Sequence, residues 1–359
     1  MTMYELPPDA ESRLQAALDR HTSGGLECGC QLTVYLRGKP AVDLVSGYTA
    51  PDRREPVTHE TLFPVFSAGK GVMATAFLRL LAAGKARLDD LVCRWWPEFT
   101  GQGKESLQIW QILCHRAGLY LLPGVKATEE LADWDLMCRR LEAAPCRHGG
   151  MKMRYHGITF AWLVGELARR IDGRPFSEIV RDEVLNPLNI SREFRFGVSE
   201  EEEPRTAALD NSHDSSDHWC GNFIAIPAIR RGFIPSANGF ATARAIAKHY
   251  AALLDSGGTR LLSPEWIELA TRPRRAPDDP INPETPWANF GLGYALCGSD
   301  PSDPGQRFGH GGAAGAEGYA DKERQLAIGF TKNAPLQTHP DHPVRREIAN
   351  ILGISPIRW

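Results

Sequence analysis

Ser67-Ala68-Gly69-Lys70 sets a serine and a lysine three residues apart, the only SxxK spacing in the chain. At the start of a helix, that spacing brings both side chains to one face of the first turn. An amine held beside a hydroxyl can take its proton, which a weak nucleophile such as serine requires. The positive end of the helix favours the alkoxide that would form. In isolation the string reads equally as a helix-capping serine followed by a surface lysine. Against that, the apolar residues behind Lys70 mark a buried helix. Tyr155-His156-Gly157 stands just before a helical stretch, Ile158 to Arg170, where a tyrosine hydroxyl near a lysine could relay a proton. A packing tyrosine with its hydroxyl at the surface is the other reading. Phe308-Gly309-His310-Gly311-Gly312-Ala313 precedes the last strands; its glycines would let a substrate approach backbone N–H donors, as an oxyanion hole needs. Its plainer reading is a glycine-rich strand start with an exposed histidine.

Helical periodicity predicts an opening helix over Asp9 to His21, with Leu14, Ala17 and Leu18 on one face. Gln31 to Leu36 and Ala41 to Ser46 predict a hairpin around Arg37-Gly38-Lys39-Pro40. Gly69 to Ala83 predicts a strongly apolar helix on Val72, Met73, Ala76, Phe77 and Leu80. From there to about residue 235 helical pattern and long loops prevail, and Ala241 to Leu254 is a further predicted helix. Glu200 to Glu203, closed by Pro204, and Arg272 to Pro286 read as solvated connections. Strands return at Gly291 to Cys297, Gly318 to Ala320 and Gln325 to Thr331, before a last helix near Val344 to Leu352. Strand-forming sequence at both ends and helical sequence between them imply an α/β sheet domain, residues 1–74 and 235–359, interrupted by a helical insertion, residues 75–234.

The bulk properties narrow the partners. At 359 residues, with 42% hydrophobic and 24% charged residues, the chain has the composition of a soluble globular protein. A net charge of −3 gives no general attraction to nucleic acid or to an anionic membrane, so a small-molecule partner is expected. No basic, apolar leader and no run long enough to span a membrane is visible. The eight cysteines form no CxxC pair and read as reduced thiols in a cytoplasmic protein, with a disulfide-stapled secreted protein as the alternative. Asn211 to Cys220 clusters possible metal ligands, but such polar runs are usually loops, so no metal or cofactor is expected.

In order and rough spacing, Ser67-x-x-Lys70, Tyr155-x-Gly157 and His310-Gly311-Gly312 resemble the serine β-lactamase and penicillin-binding-protein superfamily. The likeness is strongest to the branch with class C β-lactamases and family VIII carboxylesterases. Supporting strings are Leu62-Phe63, Leu113 to Leu119, Pro235-Ser236-Ala237-Asn238-Gly239 and Gly318-Tyr319-Ala320-Asp321, so the likeness runs from about residue 10 to residue 353. It implies a β-lactamase-like antiparallel sheet flanked by helices, an inserted all-helical domain and a site in the cleft between them. It further implies acylation of Ser67, general-base and general-acid work shared by Lys70 and Tyr155, and an oxyanion hole from the N–H groups of Ser67 and Ala313. His156, Gly157, His310, Gly311 and Gly312 would then bind substrate.

Two departures steer the substrate. Gly157 stands where the family's Tyr-x-Asn carries an amide, and His310 stands where penicillin-recognising members often carry the lysine of Lys-Thr-Gly. A neutral histidine offers one donor in place of a permanent cation, so recognition of a β-lactam carboxylate should weaken. No E-x-x-L-N string, the class A source of a deacylating glutamate, is present. Nor does any serine sit in the Gly-x-Ser-x-Gly of an α/β-hydrolase elbow. The expected activity is a carboxylesterase on small ester or amide substrates through an acyl-enzyme. A β-lactamase or D-alanyl-D-alanine peptidase, an acyltransferase and a non-catalytic binding protein of the same fold are the alternatives. The physiological ester and the oligomeric state are not encoded in any motif found.

Overall fold

The structure is a computed structural model that describes residues 3–122, 124–210, 219–255, 258–275, 289–296, 305–334 and 342–357. Helix α1 (Ala10–Ser23) leads into strands β1 (Gly29–Leu36) and β2 (Lys39–Gly47), and β3 (Phe63–Pro64) precedes a 3-10 turn, Phe66–Gly69, and helix α2 (Lys70–Ala82). Helices α3 (Val92–Trp95), α4 (Ile109–Leu113), α5 (Trp134–Ala143), α6 (Phe160–Asp172) and α7 (Phe176–Val180) follow. Next come β4 (Phe194–Phe196), α8 (Trp219–Ala225), α9 (Pro227–Arg231) and β5 (Gly239–Ala241). The chain ends with α10 (Ala243–Ala251), α11 (Pro264–Thr271), β6 (Asn289–Phe290), β7 (Ala295–Leu296), β8 (Arg307–Gly311), β9 (Glu317–Asp321), β10 (Leu326–Lys332) and α12 (Pro343–Leu352).

Seven strands form one antiparallel sheet in the order β2-β1-β10-β9-β8-β7-β6, so both ends of the chain contribute to it. The β1–β2 hairpin turns at Arg37 and Gly38, both with positive φ (51° and 73°), the geometry that matches the twist of the strands. Alternation along the central strands sorts the side chains. Cys30, Leu32 and Val34 of β1, with Leu326, Ile328 and Phe330 of β10, face α1 and α12. On the opposite face α10 lies across β1, β9 and β10. It can do so because Gly318 and Gly329 leave room: a Cβ on Gly329 would fall 2.1 Å from the Ala243 carbonyl, and one on Gly318 2.1 Å from Ile246 Cγ2.

Three expectations are adjusted. The helix foreseen from Ala241 begins after a short strand, β5, because Thr242 caps α10 by accepting the Ala245 N–H. His310 lies inside strand β8, paired with Gly318, and not before the strands. Residues 75–234 are not wholly helical. They contribute β4, whose Phe194 and Phe196 pair with Ala241 and Gly239 of β5 in a three-stranded sheet, β3-β5-β4. Asn211 to His218 and Cys297 lie outside the described residues. Among those described, no group of three or more His, Cys, Asp or Glu could hold a metal, and no helix is long and apolar enough to cross a membrane. Cys28, Cys30, Cys93, Cys114, Cys138, Cys146 and Cys220 are free thiols.

Helix α2 packs against α6, α7 and β8, and so connects the helical region to the sheet. A buried polar knot reinforces it: Thr75 Oγ1 lies 2.8 Å from His249 Nε2 and 2.6 Å from the Tyr294 hydroxyl. Burial lowers the pKa of His249 to about 3, and that of His156 likewise to about 3. His342 is held at about 2, first by burial and then by the Lys332 ammonium.

These values make stability depend on acid. The unfolded chain protonates its histidines near pH 6.5, whereas the fold resists until pH about 3, so the stabilisation is complete above about pH 6.5 and is lost as pH falls toward 3. Each histidine adds up to about 1.4 kcal/mol of loss per pH unit. His249→Gln, which can keep a bond to Thr75, should flatten the fall in denaturant midpoint between pH 6 and 4; equal slopes would refute the assignment. In the same assay Gly329→Ala should lower the midpoint by about 1–3 kcal/mol of stability, the scale of an overpacked core. An unchanged midpoint would mean that α10 does not rest on Gly329.

Candidate active site

The nucleophile candidate stands on a forced turn. Phe66 adopts φ 45°, in the left-handed region that a bulky residue avoids, and thereby lifts the chain from β3 into the 3-10 turn that carries Ser67. The turn runs directly into α2 at Lys70, so the spacing Ser67-x-x-Lys70 spans a junction of two helix types and not one continuous helix. Close packing fixes the junction. A Cβ on Gly69 would meet the Phe196 ring at 2.6 Å, and one on Gly71 the Tyr250 hydroxyl at 2.2 Å.

Lys70 Nζ lies 2.9 Å from Ser67 Oγ and donates to the Ser236 carbonyl at 2.7 Å. The Tyr155 hydroxyl donates to the same Ser67 Oγ at 3.0 Å, and the Lys70 nitrogen sits 5.1 Å from the centre of the Tyr155 ring. Lys70 has no exposed surface, and burial lowers its pKa well below that of a free lysine. Burial likewise raises the Tyr155 phenol well above its ordinary value, with the Ser67 contact opposing that only in part. An amine shifted toward its neutral form and a phenol held in its neutral form converge on one serine oxygen, where the first can accept a proton and the second can give one.

Ser236 is a site residue that its type does not announce. It acts through a main-chain oxygen that any residue would supply, while its hydroxyl donates to the Ile158 carbonyl at 2.8 Å. Asn238 shapes that loop by accepting the Ile234 N–H and donating to the Ile229 and Gly232 carbonyls. Ser236 thus ties the Lys70 side of the cleft to the segment that follows Tyr155.

Strand β8 closes the other side. Gly312 passes so near the Ser67 turn that a Cβ on it would fall 2.1 Å from the Val65 carbonyl, and its N–H donates to the Ala316 carbonyl at 2.7 Å. That places Ala313 next to the residue that touches the nucleophile turn. His310 lies with its ring 5.9 Å from the Tyr155 ring, and burial followed by the nearby Lys70 lowers its pKa to about 3. Its Nδ1 is 2.7 Å from the Gly311 carbonyl. A carbonyl can only accept, so Nδ1 carries the proton and Nε2 carries a lone pair. The donor expected of His310 toward a substrate is thereby corrected: the N–H is spent on the adjacent backbone.

Gly157 has space around it, since a Cβ there would find Tyr155 Cε1 no nearer than 3.6 Å. Crowding does not explain the missing asparagine. His156, foreseen as a substrate contact, is instead wholly buried, with Nε2 accepting the Leu119 N–H at 3.1 Å. Its burial suits support of the loop and not contact with substrate.

Comparison with known proteins agrees with this geometry. A family model described as Beta-lactamase matches residues 18–352. Esterase/beta-lactamase LipL of Mycobacterium tuberculosis is 33% identical over 342 residues, 86% of this chain and 77% of that protein. A solved family VIII carboxylesterase superposes with a TM-score of 0.86 at 25% identity, covering 98% of this chain and 99% of that one. A penicillin-binding-protein homologue from Caulobacter crescentus superposes with a TM-score of 0.79 at 29% identity, over 93% and 94% of the two chains. With the serine, lysine and tyrosine assembled and the family model matched almost from end to end, the chain belongs to the Beta-lactamase family.

Proposed function

We propose that the chain is a serine hydrolase that acylates Ser67 and turns over small neutral carboxylic esters. The observation that carries this reading is the double contact on Ser67 Oγ, from the buried Lys70 at 2.9 Å and from Tyr155 at 3.0 Å. Ser67 Oγ attacks the ester carbonyl carbon while its proton passes to the neutral Lys70 amine. The N–H groups of Ser67 and Ala313 stabilise the oxyanion that develops. Collapse breaks the bond to the leaving oxygen, which takes a proton from the Lys70–Tyr155 pair and departs as the alcohol. Water then attacks the acyl carbon, gives its proton to the same pair, and the acid is released as Ser67 recovers its hydrogen.

The substrate preference follows from charge. Burial holds His310 toward the neutral ring, so it supplies no fixed cation where one would hold a β-lactam carboxylate. Gly157 offers no amide to a substrate side chain, which forgoes about 1 kcal/mol for a neutral hydrogen bond. The solved family VIII carboxylesterase supports an ester substrate, while LipL carries both the esterase and the beta-lactamase name. The free thiols support a reducing, cytoplasmic setting.

Treatment with a fluorophosphonate should add one adduct by intact mass, absent in Ser67→Ala; an undiminished adduct in that variant would remove Ser67 from the chemistry. Lys70→Ala and Tyr155→Phe should each lower turnover about a hundredfold or more, the scale of positioned proton transfer. Wild-type turnover in either would remove that residue. Measured side by side, kcat/KM for p-nitrophenyl butyrate should exceed that for nitrocefin by at least about tenfold to a thousandfold. Equal efficiencies would replace the esterase reading with a β-lactamase.

A further inference from the structure

We propose that His115 is a positioning residue for Tyr155, holding with its carbonyl and its ring nitrogen the two amides on either side of the tyrosine. The proposal rests on Tyr155 being the proton relay. The His115 carbonyl accepts the Arg154 N–H at 2.9 Å, and His115 Nδ1 accepts the His156 N–H at 3.1 Å. Arg154 and His156 are the immediate neighbours of Tyr155, so one residue holds the chain both before and after the tyrosine. The ring completes the grip, with its centre 5.1 Å from that of the Tyr155 ring. Phe290 stacks on Tyr155 at 5.6 Å with the planes within 4°, and its ring also touches that of His115.

Three features mark this as a built arrangement. His115 has φ 58°, left-handed geometry that a non-glycine residue adopts only where its surroundings hold it. The clamp is reciprocal: His156, whose N–H is held by His115, accepts through Nε2 the Leu119 N–H, so the loop 115–119 and the segment 154–156 fix each other. Finally, His115 is wholly buried among Phe160, at 4.5 Å between ring centres, Phe290, at 4.4 Å, and His156, at 5.6 Å. Burial first, then His156 and Lys70, keep the ring neutral, as its acceptor role requires. Because Nδ1 accepts, the ring proton resides on Nε2. A tyrosine whose neighbours' N–H groups are held and whose ring packs against His115 and Phe290 can rotate little, which keeps its hydroxyl on Ser67 Oγ.

The test is a double-mutant cycle between His115 and Tyr155, with kcat expressed per site titrated by a fluorophosphonate. His115→Gly relieves the φ constraint but removes ring and acceptor. It should lower kcat about tenfold to a hundredfold with KM changed less than about threefold. His115→Asn tolerates the same φ and keeps an acceptor oxygen near Nδ1, so it should recover part of the loss while remaining at least about threefold below the parent. In the Tyr155→Phe background both substitutions should cost less than about twofold, because the group they position is gone. Equal losses in both backgrounds would make His115 a general structural residue and overturn the proposal while leaving Tyr155 in the mechanism. A Tyr155→Phe variant with undiminished kcat would instead dismiss the relay, and the proposal with it. Parental kcat in the His115 variants would also overturn it. If His115→Gly does not fold, His115→Asn in the same cycle decides.

Discussion

A lysine nitrogen without exposed surface, 2.9 Å from a serine oxygen, is the constraint to which the rest of this structure responds. Burying an ammonium is costly unless it is paired, and among the described residues no carboxylate bonds Lys70 or shifts its pKa. Its partners are a hydroxyl, a carbonyl and an aromatic ring. All three tolerate a neutral amine, and the positive end of α2, where Lys70 begins the helix, further opposes a cation there. The fold thus selects the protonation state that a general base needs. By contrast Lys332, equally buried, is given Glu27 at 2.6 Å. Two interior lysines with opposite company have opposite tasks, one in chemistry and one in structure.

The groups around Lys70 come from segments far apart in the chain, and each is brought in by a close backbone approach. Gly69 lies against Phe196 and the Pro235 carbonyl, Gly71 against Tyr250 and Gly312 against the Val65 carbonyl, so any side chain there would push its neighbour away. The Tyr155 segment joins by its hydrogen bonds to Ser67 and Ser236. Ser236 is the crosspiece, with its carbonyl on Lys70 and its hydroxyl on the Ile158 carbonyl. A disturbance at any of these joints therefore shifts the distance between Ser67 and its proton partners. This explains why the site is assembled by main-chain contacts as much as by side chains.

The trio proposed for the chemistry could be read from residue type and spacing, because the side chains of Ser67, Lys70 and Tyr155 stand at fixed offsets from helix starts. Strands β1, β2 and β10 were legible for a similar reason: they carry alternating or β-branched runs bounded by turns. Strand β8 was not, since Arg307-Phe308-Gly309-His310-Gly311 has two glycines and no alternation, and only its pairing with β7 and β9 makes it a strand. Ser236 and His115 were visible only as parts of flanking strings. Their work is done by carbonyls, by a ring acceptor and by an unusual φ, none of which leaves a mark on residue type. His310 shows the intermediate case. Its neutrality was foreseen, but the direction of its proton depended on a carbonyl one residue away.

Taken with the protonation states, the geometry describes a cleft whose reacting groups carry almost no fixed charge at rest. Lys70 is held toward the amine, Tyr155 toward the phenol and His310 toward the neutral ring, each chiefly by burial. In such surroundings an anionic substrate would lose its hydration without meeting a cation, which disfavours it in the ground state. A neutral ester has no such cost. Charge then appears only as the reaction proceeds, as an oxyanion at the carbonyl and an ammonium at Lys70 a few ångströms away. In a medium of low polarisability that pair attracts more strongly than it would in water. The same burial that removes a cation from the resting site thus strengthens the interaction that forms in the transition state. On the proposed reading, discrimination against charged β-lactams and acceleration of neutral ester cleavage would be two consequences of one desolvated nitrogen.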